Sequence, residues 1–178
     1  MAEIISLDRQ EYDYFPLEYK YETSSHYVVK SCSSKEKMSL ELVREDYEKQ
    51  RVFENTDTLF QPYWTCPEAY ALKDDDGNLC GFVEFDFEDW NSRVRMTQLL
   101  VLDRYRKKGY GKMLMDFAKQ IAKERDYRII VLETQNANTP AIDFYLSQGF
   151  EFCGGNIYFY SNEDINADEV MLEMAYLV

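Results

Sequence analysis

Arg106, Lys107, Lys108, Gly109, Tyr110, Gly111 and Lys112 follow one another without interruption, four basic side chains around two glycines. Beyond them, apolar residues fall at Leu114, Phe117, Ala118, Ile121 and Ala122, the spacing of a helix with one buried face. A loop that opens such a helix presents unpaired backbone N–H groups and the positive end of the helix dipole, which together bind anions. Gly109 and Gly111 let the backbone approach without Cβ obstruction and tolerate positive φ. The chemistry this combination suits is a diphosphate. A P-loop would carry Ser or Thr after the lysine, and here Met113 follows Lys112. A dinucleotide fingerprint would add a third glycine after the first strand of a βαβ unit, whereas this loop lies mid-chain. By itself, a two-glycine loop also fits a plain tight turn.

Other chemistries are disfavoured by composition. Cys32, Cys66, Cys80 and Cys153 are scattered and His26 is the single histidine, so no metal is expected and the thiols read as reduced. The net charge of -13 repels nucleic acid and draws cations, although such a charge also serves solubility. No stretch reaches the roughly 20 apolar residues of a membrane span, and the acidic beginning lacks an apolar signal core. A cytoplasmic location is expected, with neither membrane nor nucleic acid as partner.

The elements that must position the loop can be read from periodicity. With 46% hydrophobic residues over 178 positions, residues 1–178 are expected to form one domain. Residues 15–29 suggest two strand pieces around a turn at Thr23, Ser24 and Ser25. Ser39 is placed to cap a helix over 39–53, with Leu40, Val43 and Tyr47 on one face. Residues 55–68 read as irregular. Strands at 70–73 and 79–87 flank the turn at 74–78, and a further strand covers 93–101. The helix after Gly111, a short central strand at 129–133 and a helix capped by Thr139 follow, with Pro140 at its first position and Gly149 past its end. Strand pieces begin at Phe150 and at Val170.

The sequence pattern around the loop is more specific. Leu99-Leu100-Val101, RYRKKGYGKMLM and VLETQNANTPAIDFYLSQGF resemble the core of the GNAT acetyltransferase family. Arg106, Gly109 and Gly111 meet its Arg/Gln-x-x-Gly-x-Gly/Ala signature. Asn138, Ala141, Phe144 and Tyr145 meet its later Asn-x-x-Ala-x-x-Phe-Tyr element. The LETQNAN and YSNED runs look most like the streptothricin acetyltransferase-like branch. The resemblance implies an α/β fold of the α+β type. Its mixed, mostly antiparallel central sheet is flanked by helices and splays between the two central strands to hold acetyl coenzyme A. It further implies that the backbone of Leu99, Leu100 and Val101 pairs with the pantetheine arm and that the N–H groups over 107–112 cradle the pyrophosphate. Asn138 would touch the arm, and Tyr145 would reach the sulfur as general acid.

The resemblance leaves the general base open. Many relatives carry an acid where this chain has Gln98, which cannot take a proton. Glu84 and Glu133 are the candidates, with Glu133 inside the stronger match. Strand alternation groups Phe82, Glu84 and Asp86 on one side. Carboxylates at Glu54, Asp57, Asp86, Glu88, Glu163, Asp164, Asp168 and Glu169 are expected to attract a small cationic amine, such as a streptothricin, a polyamine or a lysine-like acceptor. Phe60, Tyr63, Trp64 and Trp90 are candidate pocket walls. The alternatives are a protein or peptide N-acetyltransferase and a non-catalytic acyl-coenzyme A-binding domain; a homodimer is compatible with all three.

Overall fold

Two of the strands read from the sequence form a hairpin, β4 (Pro67–Lys73) and β5 (Leu79–Glu88). Gly77 supplies the positive φ of its turn, and the Asp74 carboxylate accepts the N–H groups of Asp76 and Asn78. The computed structural model describes residues 2–161, 163–167 and 169–178. These described residues group into two compact units, one holding those of 2–20, 54–132 and 176–178, the other those of 21–53 and 133–175.

In the first unit, which also holds the short helix α1 (Arg9–Tyr12), the strands run in the order β1 (Glu3–Ser6), β4, β5, β6 (Arg93–Val101) and the beginning of β7 (Ile129–Gln135). All pairs are antiparallel except β6 with β7, which is parallel. Nearly every residue of β5 is buried, as a central strand covered on both faces requires, whereas β6 alternates. Helix α2 (Tyr110–Glu124) turns Leu114, Met115, Ala118, Ile121 and Ala122 inward and packs on β5 and β6. Its close approach depends on Gly81. A Cβ there would lie 2.6 Å from the Leu100 carbonyl oxygen and 3.1 Å from Leu114 Cδ1. Gly81→Ala should therefore cost about 1–3 kcal/mol and lower Tm by roughly 3–10 °C. A thermal scan that matches the parent would refute this account of the packing.

The second unit contains the end of β7 beside β9 (Met171–Leu177) and β8 (Glu151–Asn156), together with helices α3 (Thr139–Ser147) and α4 (Asp164–Ala167). It also contains most of a two-stranded ribbon, β2 (Pro16–Ser33) and β3 (Met38–Thr58). This ribbon overturns two expectations. The helix over 39–53 is a strand. Leu40 and Leu42, two apart, are partly buried, and the cross-strand stacks Tyr21–Phe53 and His26–Tyr47 hold the pairing. The helical spacing of Leu40, Val43 and Tyr47 is coincidental: Tyr47 stacks on His26 across the ribbon, Leu40 lies beside Gly155, and Val43 is exposed. The break at Thr23–Ser25 is also absent. Thr23 and Ser25 are buried inside continuous β2, where the Thr23 hydroxyl donates to the Ser25 carbonyl at 2.7 Å and bonds the Thr139 hydroxyl at 2.6 Å. Hydroxyls satisfied in this way need no solvated turn. The stretch read as irregular is shorter than 55–68, since β3 reaches Thr58 and β4 begins at Pro67.

Candidate active site

In the first unit the loop expected to bind an anion follows the end of β6. Leu102 donates its N–H to the Cys80 carbonyl at 2.9 Å, which fixes the phase of the β5–β6 ladder. The backbone of Leu102, Leu100 and Gln98 thus faces β5, and that of Leu99 and Val101 faces away from it. The parallel ladder with β7 ends at Met96 and Leu132, while the ladder with β5 continues to Val101. Of the three residues expected to hold the pantetheine arm, Leu99 and Val101 present outward backbone groups and Leu100 is committed to the sheet.

After β6, a 3-10 turn over Asp103–Tyr105 leads to Arg106. The guanidinium of Arg106 donates to the Val101 carbonyl at 3.1 Å and the Lys20 carbonyl at 2.7 Å, and pairs with Asp103 at 2.8 Å. Arg106 ties the loop to its own unit. Lys107 and Gly109 have positive φ, of 60° and 85°. Gly111 does not, so conformational freedom is required at Gly109 and not at Gly111. Gly109 is the N-cap of α2, and the first helical bond runs from the Met113 N–H to its carbonyl. The N–H groups of Tyr110, Gly111 and Lys112 therefore lack helical acceptors. Lys107, Lys108 and Lys112 are exposed around them; Lys108 lies over the Tyr105 ring and Lys112 pairs with Asp116 at 2.6 Å. Together these features fit a diphosphate.

Glu84 lies on β5 with no exposed surface. Its carboxylate accepts the Phe60 N–H at 2.5 Å and the Thr97 hydroxyl at 2.7 Å, Thr97 being the bulge residue where the β5–β6 register shifts. Burial pushes the Glu84 carboxyl up, with help from Asp57 and Asp86, against the hydrogen bonds from Thr97 and Phe60. One oxygen thereby holds the turn at Phe60, whose φ is 58°, and the other holds the bulge at Thr97. Gln98, paired with Glu84 across the ladder, accepts the Tyr19 hydroxyl at 2.5 Å and donates to Asp57 at 2.7 Å. Asp57 also accepts the Thr58 N–H and the Gln61 amide. A cavity of about 320 Å3 lies in this unit, lined by Phe15, Leu17, Phe82, Leu100, Leu102 and Arg104 among others. The expected aromatic walls are not among its lining: Phe60 is core, and Tyr63 and Trp90 are exposed.

In the second unit, Glu133 and Gln135 project from the same side of β7. The exposed Glu133 carboxylate accepts the Tyr160 hydroxyl at 3.1 Å, and the Gln135 amide oxygen accepts the Tyr21 hydroxyl at 3.3 Å. Burial, then the Glu133 charge, holds the Tyr160 phenol far above its ordinary range; burial, then Tyr47 and Glu169, does so for Tyr21. Asn138, not Thr139, is the N-cap of α3, its side chain accepting the Ala141 N–H at 3.3 Å. Thr139 is instead drawn into the hydroxyl cluster with Thr23 and Ser25. Tyr145 projects from α3, and burial pushes its phenol up to about 12. Sequence reasoning missed Tyr19, Tyr21 and Tyr160 as partners of these groups. The only signal was the position of Tyr160 at the head of the YSNED run.

The expected cation-attracting carboxylates divide. Glu54 pairs with Lys20, Glu88 with Arg93 and Arg95, and Asp86 accepts the Cys66 N–H. Asp164 is buried as an acceptor of backbone donors. Asp57, Glu163 and Glu169 retain exposed surface, and Asp168 lies outside the described residues. Among the described residues no His, Cys, Asp and Glu cluster could hold a metal, and no helix is long and apolar enough to cross a membrane.

Residues 38–150 match the model of the acetyltransferase (GNAT) family. The streptothricin acetyltransferase of Streptomyces lavendulae is 40% identical over 79 residues, 44% of this chain and 42% of that protein. The streptothricin acetyltransferase of Escherichia coli is 31% identical over 97 residues, 54% of this chain and 55% of that protein. These matches span about half the length of each relative. The crystal structure of nourseothricin acetyltransferase superposes with a TM-score of 0.77 at 24% identity, covering 99% of this chain and 98% of that one. A Bacillus anthracis protein crystallised with acetyl coenzyme A gives 0.74 at 24%, covering 100% and 98%. At that identity the likeness establishes the fold.

Proposed function

Because the chain belongs to the GNAT acetyltransferase family, we propose that it transfers an acetyl group from acetyl coenzyme A to a primary amine of a small cationic acceptor. The observation that carries this reading is the start of α2, where three N–H groups without helical acceptors follow Gly109 and three exposed lysines surround them. The acetyl coenzyme A held by the Bacillus anthracis neighbour supports the choice of ligand.

Acetyl coenzyme A supplies an activated thioester. The N–H groups of Tyr110, Gly111 and Lys112 bind its pyrophosphate, and the outward backbone of Leu99 and Val101 orients the pantetheine arm. An outward N–H on β6 stabilises negative charge on the thioester oxygen. A lysine-like amine has a pKa near ~10.4, so at neutral pH a base must take its proton. Glu133 fills that role, because it is exposed, whereas the two oxygens of Glu84 are committed to Phe60 and Thr97. Tyr145 donates to the departing sulfur. Asn138 keeps its amide nitrogen for the arm while its oxygen caps α3.

The test is release of coenzyme A thiol over a panel of amines. Di- and polycationic amines should surpass a neutral aromatic amine by at least ~10-fold in kcat/KM. Their advantage should fall several-fold as salt rises from 0.01 to 0.3 M, because the Debye length shrinks from ~30 Å to under ~10 Å. Preference for neutral amines or acidic peptides at low salt would overturn the cationic acceptor. No turnover with any amine, alongside tight acetyl coenzyme A binding, would mean a non-catalytic domain.

A further inference from the structure

We propose that Tyr160 is a positioning residue for the Glu133 carboxylate, and that the buried Asp164 holds Tyr160 in place. The inference rests on the reading of Glu133 as the base. Tyr160 follows β8 in a segment without strand pairing, so its own stretch of backbone cannot fix it. Asp164 provides the missing support. Although 2% exposed, its carboxylate accepts the Tyr160 N–H at 2.7 Å, the Ser161 N–H at 2.5 Å and the Ser161 hydroxyl at 3.0 Å. The Asp164 carbonyl also accepts the Glu169 N–H at 3.0 Å. Asp164 therefore fixes Glu169 through its backbone carbonyl, and Tyr160 and Ser161 through its carboxylate. Burying it is costly unless donors compensate, and the donors come from the two residues that aim the phenol.

The phenol is then delivered to Glu133 at 3.1 Å. Packing alone would be served equally by phenylalanine; the hydroxyl adds a donor to a carboxylate. Glu169 and Tyr21 also bear on the Tyr160 phenol, and Tyr47 and Glu169 bear on Tyr21. The Tyr160 hydroxyl is a donor aimed at this carboxylate, and as such it favours the ionised form. A hydrogen bond to the charged form lowers the proton affinity of a carboxylate, so Tyr160 keeps Glu133 ionised to lower pH. Because the phenol is itself held far above its ordinary range, it remains a donor throughout the working range. The partner pair, Tyr21 on Gln135, fixes the neighbouring side chain of β7 in the same manner.

The experiment compares kcat/KM against pH for the parent chain, Tyr160→Phe, Asp164→Asn and Glu133→Gln, with a diamine acceptor and acetyl coenzyme A. Tyr160→Phe should retain the parent's fold and acetyl coenzyme A affinity. Its acid limb should move up by about half to one pH unit, a three- to tenfold loss of activity on that limb. Asp164→Asn, which loosens the support without touching the phenol, should move the limb in the same direction by less. If Glu133→Gln is inactive but neither other variant moves the limb, Tyr160 is packing and the positioning role is overturned, with the base reading intact. If Glu133→Gln turns over like the parent, the base reading falls and the proposal falls with it.

Discussion

Tyr145→Phe should lower kcat by about 10²–10⁴-fold in a chemistry-limited assay, with little change in acetyl coenzyme A affinity. The substitution keeps the ring, which packs near Phe144 and Phe150 at centroid distances of 5.7 and 6.1 Å, so the fold should persist. What is lost is a single hydroxyl in a buried setting. Burial raises that phenol to about 12, whereas a free thiol has a pKa of ~8.5. Complete proton transfer to a thiolate is therefore uphill by roughly 5 kcal/mol, at ~1.4 kcal/mol per unit. In the proposed mechanism Tyr145 therefore serves as a hydrogen-bond donor to charge growing on sulfur, with solvent completing the protonation later. The same shift sets the alkaline behaviour. The phenol remains protonated until pH approaches about 12, so Tyr145 should cause no fall in kcat between pH 7 and 10. A Tyr145→Phe variant as fast as the parent would reduce this residue to packing.

The parts of the site legible in the sequence are those set by local chemistry. The amphipathic pattern from Leu114 to Ala122 marked α2 because a single face had to be buried, and Gly109 marked its start because only a permissive residue suits φ near 85°. The bounds of β6 were likewise readable from alternation. The parts that escaped depend on partners distant in sequence. Tyr47 has the spacing of a helix residue and the position of a ribbon residue, and its cross-strand contact with His26, 21 positions away in sequence, decided the outcome. Glu84 looked like a free base on an alternating strand until Phe60 and Thr97 were found on its two oxygens. Arg106 looked like a phosphate ligand, but the carbonyls of Val101 and Lys20 hold its guanidinium. In each case the residue type announced a capacity, and long-range contacts determined how it was spent. Thr139 illustrates the same rule at one residue's range. Either Asn138 or Thr139 can cap a helix, and the buried hydroxyls of Thr23 and Ser25 drew Thr139 away.

Replacing Gly109 should abolish tight cofactor binding by a route that can be separated into two causes. Gly109 sits at φ 85°, ψ -2°, and a Cβ built there meets nothing within 4 Å. The position is thus open toward the space beside the free N–H groups of α2, where a diphosphate would lie. Gly109→Val adds a β-branched side chain in a left-handed conformation, at a cost of about 1–3 kcal/mol in stability. The loop can escape that strain only by rotating, which turns the N–H groups of Tyr110 and Gly111 away from their common focus. Gly109→Asn tolerates the left-handed conformation and leaves the loop unstrained, while still placing a side chain in the open space. Calorimetry should show acetyl coenzyme A affinity falling by ~10-fold or more for Asn, through obstruction alone, and further for Val. Loss confined to Val would assign the effect to backbone strain and leave the space beside Gly109 without a phosphate. A folded Val variant with the parent's affinity would remove this loop from the binding site altogether. Gly111 provides the internal comparison. It lies within α2 without positive φ, so Gly111→Ala should gain up to ~1 kcal/mol of helix stability, and any loss of affinity there must come from close approach of the ligand.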